Sequence, residues 1–285
     1  MKINREQAGG EWVYIEYGSK ILTPEQQEAH RRWKENRERE EARKELAKMW
    51  KKDAGQFYFA SSRDAYRELC PEDTARLFYL ATYLDYNGYL LTGNNWKHIR
   101  RKDLQHQLDL SRTEAYRFWK AVSEKYLFED EQGNLKMSPD FFYRGKVVDH
   151  SGNFQRLYIS SVRSLYRGTS TSRHKYLGYI FQMLPYVNIE YNTLCYNPLE
   201  KELDKVEKIP MDEFCERLGY SARNRRRLLS IYSEMKFPVG NITERLCSFV
   251  FTDGKLSTAN IIINPRVFYQ GKDPLKVAEL GKFAN

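Results

Sequence analysis

The stretch GYSARNRRRLLSIYSEMKF, residues 219–237, joins a basic cluster to an apolar helical pattern. Ser221 is placed to cap a helix, because its hydroxyl can accept a hydrogen bond from a free amide of the first turn. The apolar residues recur at three- and four-residue spacing and predict one buried face. An arginine-rich end beside such a face is typical of a DNA recognition helix, and equally of a solvated helix on a basic protein. The arginines are Arg223, Arg225, Arg226 and Arg227, and the apolar residues are Leu228, Leu229 and Tyr232.

An earlier copy of this pattern indicates an internal duplication. LDLS at residues 108–111 matches LGYS at residues 218–221, an offset of 110 residues. Upstream, Leu77 falls on Leu177 at an offset of 100, and downstream MSPDFFYRGK (137–146) matches INPRVFYQGK (263–272) at an offset of 126. Because the matches keep their order, the sequence predicts two homologous domains in tandem.

Composition limits the class of protein and its partners. The chain has 285 residues, which is enough for two domains, and a formal net charge of +9. This charge favours an anionic partner, nucleic acid first and an acidic membrane surface second. We find no apolar run of membrane-spanning length and no secretory signal, and the four cysteines are widely spaced without a CxxC pair. We therefore expect a cytoplasmic protein with reduced thiols, no membrane association and no metal or other cofactor.

The chain divides into an N-terminal extension over residues 1–56, a first domain over 57–147 and a second domain over 148–285. The extension is predicted to contain a short strand at residues 12–17 and a charged helix over 24–52 that ends near Gly55. Its charges are spaced for pairing four residues apart, which favours a solvated helix. A partner-binding arm, for another protein or a second copy, is the alternative.

Each domain is predicted to hold three helices followed by a β-hairpin. Ser111 and Glu114 form a capping-box pattern at the third helix of the first domain, and Asp253-Gly254 is a hairpin turn signal in the second. The second domain is also longer, with a charged insertion at 192–210, about sixteen more residues after Phe237 and a short helix in the tail. The predicted helices span 72–84, 101–108, 111–126, 172–184, 211–218 and 221–236, and the hairpins join 127–128 to 135–137 and 247–252 to 259–263. The expected fold class is mainly α with small β wings (α+β), as two tandem winged helices preceded by a charged helix.

The closing segments of the two domains carry a family resemblance. Each contains SP or NP, a bulky residue, an aromatic pair and a glycine, at residues 138–145 and 264–271. With the helix-turn-helix and wing before it, this pattern resembles the winged-helix replication proteins of Firmicute plasmids and phages, the RepL type. Those proteins carry one winged helix, whereas this chain has two copies. The resemblance implies DNA binding in replication initiation or in transcriptional control.

Motifs for catalysis are weak. The five histidines form no His-x-His or HUH pair, and the chain has neither a GxxxxGK[ST] loop nor GxGxxG. His98 and Arg101 have the HxxR spacing of tyrosine recombinases, but the predicted winged-helix context does not suit that chemistry. We therefore expect a DNA-binding protein that is not an enzyme.

The candidate DNA-binding residues follow from the repeat. On the third helices they are the side chains that point away from the apolar face, and at the wings they are single lysines. Arginine and lysine can donate to guanine, asparagine can pair with adenine, and threonine or tyrosine can reach phosphate or a thymine methyl. Arg225 matches Ala115 on the buried side and could instead reach a phosphate. The candidates are Arg112, Thr113, Tyr116, Arg117, Lys120 and Lys136 in the first domain, and Arg223, Asn224, Arg226, Arg227 and Lys255 in the second.

Two functional hypotheses remain open at this point. The first is a sequence-specific protein that binds double-stranded DNA at two half-sites, as an origin-binding initiator or a transcriptional regulator. Because the two reading helices differ, a direct or imperfect repeat fits this hypothesis better than a perfect palindrome. The second is an interaction module that docks a polymerase, a helicase or a partner copy through the winged helices and residues 24–52.

Overall fold

The structure, a computed structural model, describes residues 3–8, 11–16, 23–92, 97–145, 154–251, 253–271 and 273–283. The chain separates into two compact units, Met1–Lys48 and Met49–Asn285. The expected boundary between the domains, at residues 147 and 148, lies outside the described residues. So do Tyr17, Thr252 and Lys272, which we placed in a strand, a hairpin and a closing motif.

The first unit contains a hairpin and most of a long helix. Strand β1 (Ile3–Ala8) pairs antiparallel with β2 (Glu11–Glu16), and helix α1 runs over Pro24–Ala54. The strand and the charged helix expected in the extension are therefore confirmed. Gly55 has φ +61°, a backbone conformation that favours glycine, and it ends the helix where the sequence predicts. Exposed ion pairs such as Glu28–Arg32 and Arg37–Glu41 lie along α1.

The first half of the second unit, residues 56–145 apart from 93–96, follows the predicted order of three helices and a hairpin. The second and third helices are shorter than expected because the segments beside them form turns. Strands β3, β5 and β8 were not expected. The elements are β3 (Gln56–Ala60), α2 (Pro71–Ala81), β4 (Leu91–Thr92), β5 (Lys97–His98), a 3₁₀ turn (Arg101–Asp103), α3 (Leu104–Gln107), α4 (Arg112–Val122), β6 (Leu127–Glu129), β7 (Leu135–Met137) and β8 (Phe142–Tyr143).

The second half, residues 154–283 apart from 252 and 272, repeats this order with additions. Strand β9, helix α5 and the hairpin β10–β11 have no counterpart among our sequence predictions, whereas the later hairpin β12–β13 and the tail helix α9 were expected. The elements are β9 (Phe154–Tyr158), α5 (Ile159–Gly168), α6 (His174–Met183), α7 (Met211–Arg217), a 3₁₀ turn (Ala222–Asn224), α8 (Arg225–Glu234), β10 (Lys236–Val239), β11 (Ile242–Arg245), β12 (Cys247–Val250), β13 (Asn260–Ile263) and α9 (Pro274–Leu280).

The backbone hydrogen bonds around the two hairpins are the same in both halves. Leu90 N donates to Leu135 O at 3.0 Å, and Leu194 N donates to Ile261 O at 3.1 Å. Ile99 N donates to Leu90 O at 2.8 Å, as Ile209 N does to Leu194 O at 2.9 Å. The hairpin β12–β13 therefore corresponds to β6–β7, and β10–β11 accounts for the extra residues after Phe237.

The turn after the first helix shows the same correspondence and corrects our alignment. Asp85 Oδ1 accepts two backbone amides of its turn, and Asn188 Oδ1 does the same. Leu84 forms an antiparallel β-bridge with Leu90, and Val187 forms the same bridge with Leu194. Val187 is therefore the equivalent of Leu84. The sequence alignment put Leu184 there and was wrong by three residues, because leucines and tyrosines recur along both helices at similar spacing.

The two halves share one hydrophobic core. Helices α2 and α6 pack closely, and Phe78 stacks on Phe181 with ring centroids 4.8 Å apart. Gly178 faces this crossing so closely that a Cβ there would lie 1.7 Å from Pro71 O. Apolar residues from both halves form a single buried cluster, so the second unit is one compact body.

The antiparallel pairing of β3 with β9 is symmetric with respect to the two halves, as an approximate twofold axis between them requires. Strand β3 pairs antiparallel with β9, with Phe57 opposite Leu157 and Phe59 opposite Gln155. Phe59 also pairs with Phe142 of its own half, and Leu157 bridges Phe268 of the other. Since Phe59 and Leu157 are thus equivalent, the β3–β9 pairing maps onto itself when the halves are exchanged.

Within the described residues, no helix is long and apolar enough to cross a membrane. The protein has an α+β fold, in which the long helix α1 is followed along the chain by shorter helices and small antiparallel sheets.

Candidate nucleic-acid interface

Helix α4 begins with the predicted capping box. Ser111 Oγ accepts a hydrogen bond from Glu114 N at 3.2 Å, and Ser111 N donates to Glu114 Oε2 at 3.0 Å. The hydrogen bonds from Ser111 lower the pKa of the Glu114 carboxyl, so it stays ionised at the helix N-terminus. Phe118 and Val122 are fully buried on the opposite side. The predicted orientation of α4 is therefore confirmed.

The five candidates on α4 are all exposed. The Tyr116 side chain is 59% exposed, which is unusual for an aromatic residue without a partner. Among the described residues, none of the three cations makes a hydrogen bond or an ion pair with its side chain. This face can therefore meet an anion without first breaking an internal contact. The five residues are Arg112, Thr113, Tyr116, Arg117 and Lys120.

Helix α8 starts differently from α4. Residues Ala222–Asn224 form a 3₁₀ turn, and the α-helix begins only at Arg225. The Ser221 side chain makes no capping hydrogen bond, and its carbonyl oxygen accepts from Asn224 N at 2.9 Å instead. The predicted Ser221 cap is therefore wrong. Asn224 stands where Glu114 stands in α4, so the reciprocal carboxylate of a capping box is missing.

Four candidates at the start of α8 are exposed, and the three arginines among them form a dense cationic surface. Leu228 and Tyr232 are fully buried on the other side of the helix, as the apolar pattern predicts. Among the residues that the structure describes, these four side chains have neither a hydrogen-bond partner nor an ion pair. The three arginines therefore place their charge in solvent at the helix N-terminus. The four residues are Arg223, Asn224, Arg226 and Arg227.

Arg225 is held within the protein. Its guanidinium lies 3.0 Å from Asp212 Oδ1 and donates to Ala222 O, also at 3.0 Å. Asp212 lies in the first turn of α7, so this ion pair joins α7 to α8. The alternative role for Arg225, a reach to a phosphate, has to compete with this ion pair.

The two wing lysines lie in different surroundings. Lys136 is exposed on β7, and its Nζ lies 5.2 Å from the centre of the Tyr89 ring. The tip of that hairpin holds Asp130, whose pKa is lowered by hydrogen bonds from the backbone of Asn134, so it stays anionic. Lys255 is exposed after β12, with Nζ 4.0 Å from Asp253. Both hairpin tips therefore hold an ionised aspartate, since hydrogen bonds from Thr258 and Lys255 lower the pKa of Asp253 as well.

A basic groove that our sequence reasoning missed lies beside α4. It has a volume of about 670 Å³ and is lined by the 3₁₀ turn before α3, by the start of α4 and by the hairpin β6–β7. Arg101 lies over the Trp119 ring at 5.2 Å. The run RRK at residues 100–102 was the available signal, but we considered it only for its HxxR spacing. The cationic and aromatic residues that line the groove are Arg100, Arg101, Lys102, Arg112, Tyr116 and Trp119.

The two residues of the HxxR pair contact different aromatic rings. His98 packs edge-on against Tyr89 at 5.1 Å, whereas Arg101 stacks on Trp119. His174 is buried, where burial lowers its pKa, and its Nε2 lies 3.0 Å from Tyr166 O and 2.9 Å from Thr169 O. Among the described residues, no three His, Cys, Asp or Glu side chains are grouped to hold a metal ion.

Comparisons with known proteins add no neighbour. No protein-family model matches the chain, and neither a curated protein nor a solved structure matches it.

Proposed function

We propose that this chain is a sequence-specific double-stranded DNA-binding protein that acts without catalysis through two tandem winged-helix domains. One observation carries the proposal. Two helices at equivalent positions, α4 and α8, each bury an apolar face and present unpaired cations to solvent. The net charge of +9 fits an extended anionic partner.

The repeated framework supports the winged-helix interpretation. In each half a short helix and a longer helix precede a hairpin, and the second strand of that hairpin hydrogen-bonds back to the segment before the short helix. Leu135 and Ile261 are the accepting residues at the equivalent points. This is the arrangement in which the longer helix projects from the domain and can enter a major groove.

The approximate twofold refines the expected DNA site. If both reading helices contact one duplex, equivalent helices related by a twofold approach it in opposite orientations, and the symmetry of the operator mirrors that of the protein. We therefore propose an imperfect inverted repeat in place of a direct repeat. The repeat is imperfect because Tyr116 and Arg226 occupy equivalent positions on the two reading helices, so different side chains read the two half-sites.

The biological setting that we propose rests on the closing segments at residues 138–145 and 264–271. Their likeness to the RepL-type plasmid and phage proteins favours an origin-binding initiator, and a transcriptional regulator is the other role for the same interface. The DNA flanking the gene distinguishes them, since iterated repeats beside an origin indicate replication and a divergent promoter indicates control.

A selection from a random duplex pool, followed by titration at several salt concentrations, tests the proposal. We expect one enriched inverted-repeat motif and a linear fall of log affinity with log salt, because lysines and arginines displace counterions from phosphates. No enrichment and a salt slope near zero would refute duplex recognition. The interaction-module hypothesis would then take its place.

A further inference from the structure

The groove beside α4 combines aromatic and cationic side chains in one concave site. Tyr116 and Trp119 are three residues apart on α4 and therefore lie next to each other on its surface. Arg100, Arg101 and Lys102 come from the 3₁₀ turn region before α3 and line the same groove. None of these three cations forms an ion pair with a carboxylate among the described residues. The volume of about 670 Å³ is in the range of small-ligand sites.

The polar side chains of the groove are divided by element. The cations come from the turn before α3 and from Arg112 at the start of α4. Glu129 and Gln132 come from the hairpin, and Gln105 comes from α3. Carboxylate and amide groups can bond the edges of nucleobases, whereas guanidinium and ammonium groups suit phosphate. The groove therefore offers phosphate partners, ring-stacking partners and base-edge partners together.

In the second half, the described residues at the corresponding position are of different types. The hydrogen-bond correspondence places Pro210, Met211 and Asp212 where Arg100, Arg101 and Lys102 stand. Met211 is fully buried, and Asp212 is paired with Arg225. Leu229, which is buried, replaces Trp119. Both halves share one framework, so the framework does not require the groove of the first half.

We propose that this groove binds an unpaired nucleotide of single-stranded nucleic acid, with the base stacked against Tyr116 and against the Arg101 guanidinium that lies over Trp119. Its flanking phosphates contact Arg100 and Lys102. Aromatic side chains in a basic groove are the feature by which proteins hold single strands without reading their sequence, because every base has a ring face. A paired base inside a duplex keeps both faces covered by its neighbours, so stacking of this kind selects the unpaired state.

Single-strand binding in the groove goes beyond the proposed duplex binding and does not depend on it. Single strands and duplex DNA are therefore titrated separately. The probes are a short oligothymidine, the same strand with abasic positions, its RNA equivalent and free thymidine monophosphate. We expect ordinary strands of DNA and RNA to bind about 5- to 150-fold more tightly than the abasic strand, as loss of one stacked base predicts. The free monophosphate should compete only weakly, because it lacks flanking phosphates.

Two variants test the residues. Trp119→Leu introduces the residue that the second half carries, and Arg101→Ala removes the stacked guanidinium from an exposed position. Both should weaken single-strand binding by at least about 5-fold. Urea denaturation checks that both variants fold. Their affinity for duplex DNA should stay within about 2-fold of the wild type, a change smaller than the loss of one contact would cause. Lys276 is an exposed lysine of α9, so Lys276→Ala is the matched control for the loss of one charge. It should change the affinities for single strands and for duplex DNA much less than the groove variants change single-strand affinity.

Equal affinity for ordinary and abasic strands would overturn the proposal, because it would mean that only phosphates are bound. Unchanged single-strand affinity in both groove variants would overturn it as well, and so would a free monophosphate that competes as well as the strand. Loss of duplex binding in the wild type, with single-strand binding intact, would instead refute the proposed function and leave the groove assignment standing.

Discussion

Helices α4 and α8 occupy equivalent positions, yet their first turns are built in opposite ways. Ser111 and Glu114 satisfy the first amides of α4 and place a carboxylate there. Helix α8 has Asn224 at the corresponding place, a 3₁₀ turn before it and exposed arginines around it. A helix N-terminus without a carboxylate attracts phosphate, while one that holds its own carboxylate does not. We therefore expect the N-terminus of α8, with Asn224 in place of Glu114, to be the better phosphate site of the two.

This difference suggests a division of work between the halves. The cations of α8 form the denser surface, so the second half should supply more of the duplex affinity. Tyr116 and Thr113 on α4 can contact bases without a phosphate-directed charge, so the first half should give relatively more base discrimination.

The largest effect is expected at the crossing of α2 and α6. Gly178→Ala places a methyl group 1.7 Å from Pro71 O, which the packed backbone can relieve only by moving the helices apart. We expect the free energy of unfolding to fall by about 3 kcal/mol, the upper end for an overpacked core. Gly168→Ala is the control, because a Cβ there meets only Lys236 O at 3.9 Å. Equal urea midpoints for the two variants would show that the halves are not held by this crossing.

The next effect is expected in duplex affinity. Arg227→Ala should lose about 1–3 kcal/mol on the correct site if the guanidinium pairs with guanine. If it touches only phosphate, binding to all duplexes should weaken alike, and the salt slope should fall by about one. Arg117→Ala, the equivalent change on α4, should cost less. Titrations against specific and scrambled duplexes at two salt concentrations measure both, and a larger loss for Arg117→Ala would reverse the proposed division.

Local sequence signals predicted much of the fold. The capping box at Ser111, the Asp253-Gly254 turn and the apolar stripe of α8 each depend on residues close in the chain, and the structure contains the corresponding elements. The same reasoning failed at Ser221, because the chain enters a 3₁₀ turn there and the amide of Asn224 donates to the Ser221 carbonyl oxygen.

Contacts between distant segments could not be predicted in this way. Strands β3 and β9 pair across nearly a hundred residues, and neither carries an alternating pattern that distinguishes it from a core segment. The groove beside α4 could not be predicted for a related reason, because Arg101 and Trp119 are distant in sequence and come into contact only in the folded protein. The candidates on α4 and α8 were predictable because a helix presents one face from local spacing alone.

A smaller effect is expected from the two capping serines. Ser111→Ala removes a side-chain cap and should lower the free energy of unfolding by about 1 kcal/mol. Ser221→Ala removes a hydroxyl that caps nothing and should change it by only a few tenths of that amount, as for an ordinary surface site. Urea unfolding of both variants measures the difference. Equal losses would mean that Ser221 also caps its helix in solution, and the contrast between the two N-termini would disappear.

The smallest effect is expected at Arg225, the one arginine of the α8 cluster with an internal partner. Its ion pair with Asp212 is part-exposed, with side-chain exposures of 33% and 42%, so we expect Arg225→Ala to cost at most about 1 kcal/mol of stability. Duplex affinity should change by less than about 2-fold, because a guanidinium held at 3.0 Å from a carboxylate offers little free charge to a phosphate.

A double-mutant cycle with Asp212→Asn separates the two roles of Arg225. If the pair is intact in the complex, the two changes should be coupled in stability and uncoupled in duplex binding. Arg226→Ala, one residue further on and exposed, is the matched comparison and should weaken duplex binding clearly more. An affinity loss for Arg225→Ala as large as that for Arg226→Ala would mean that Arg225 leaves Asp212 when DNA binds. All four arginines would then form the reading surface of the second half, and its advantage over the first half would be larger than the free structure indicates.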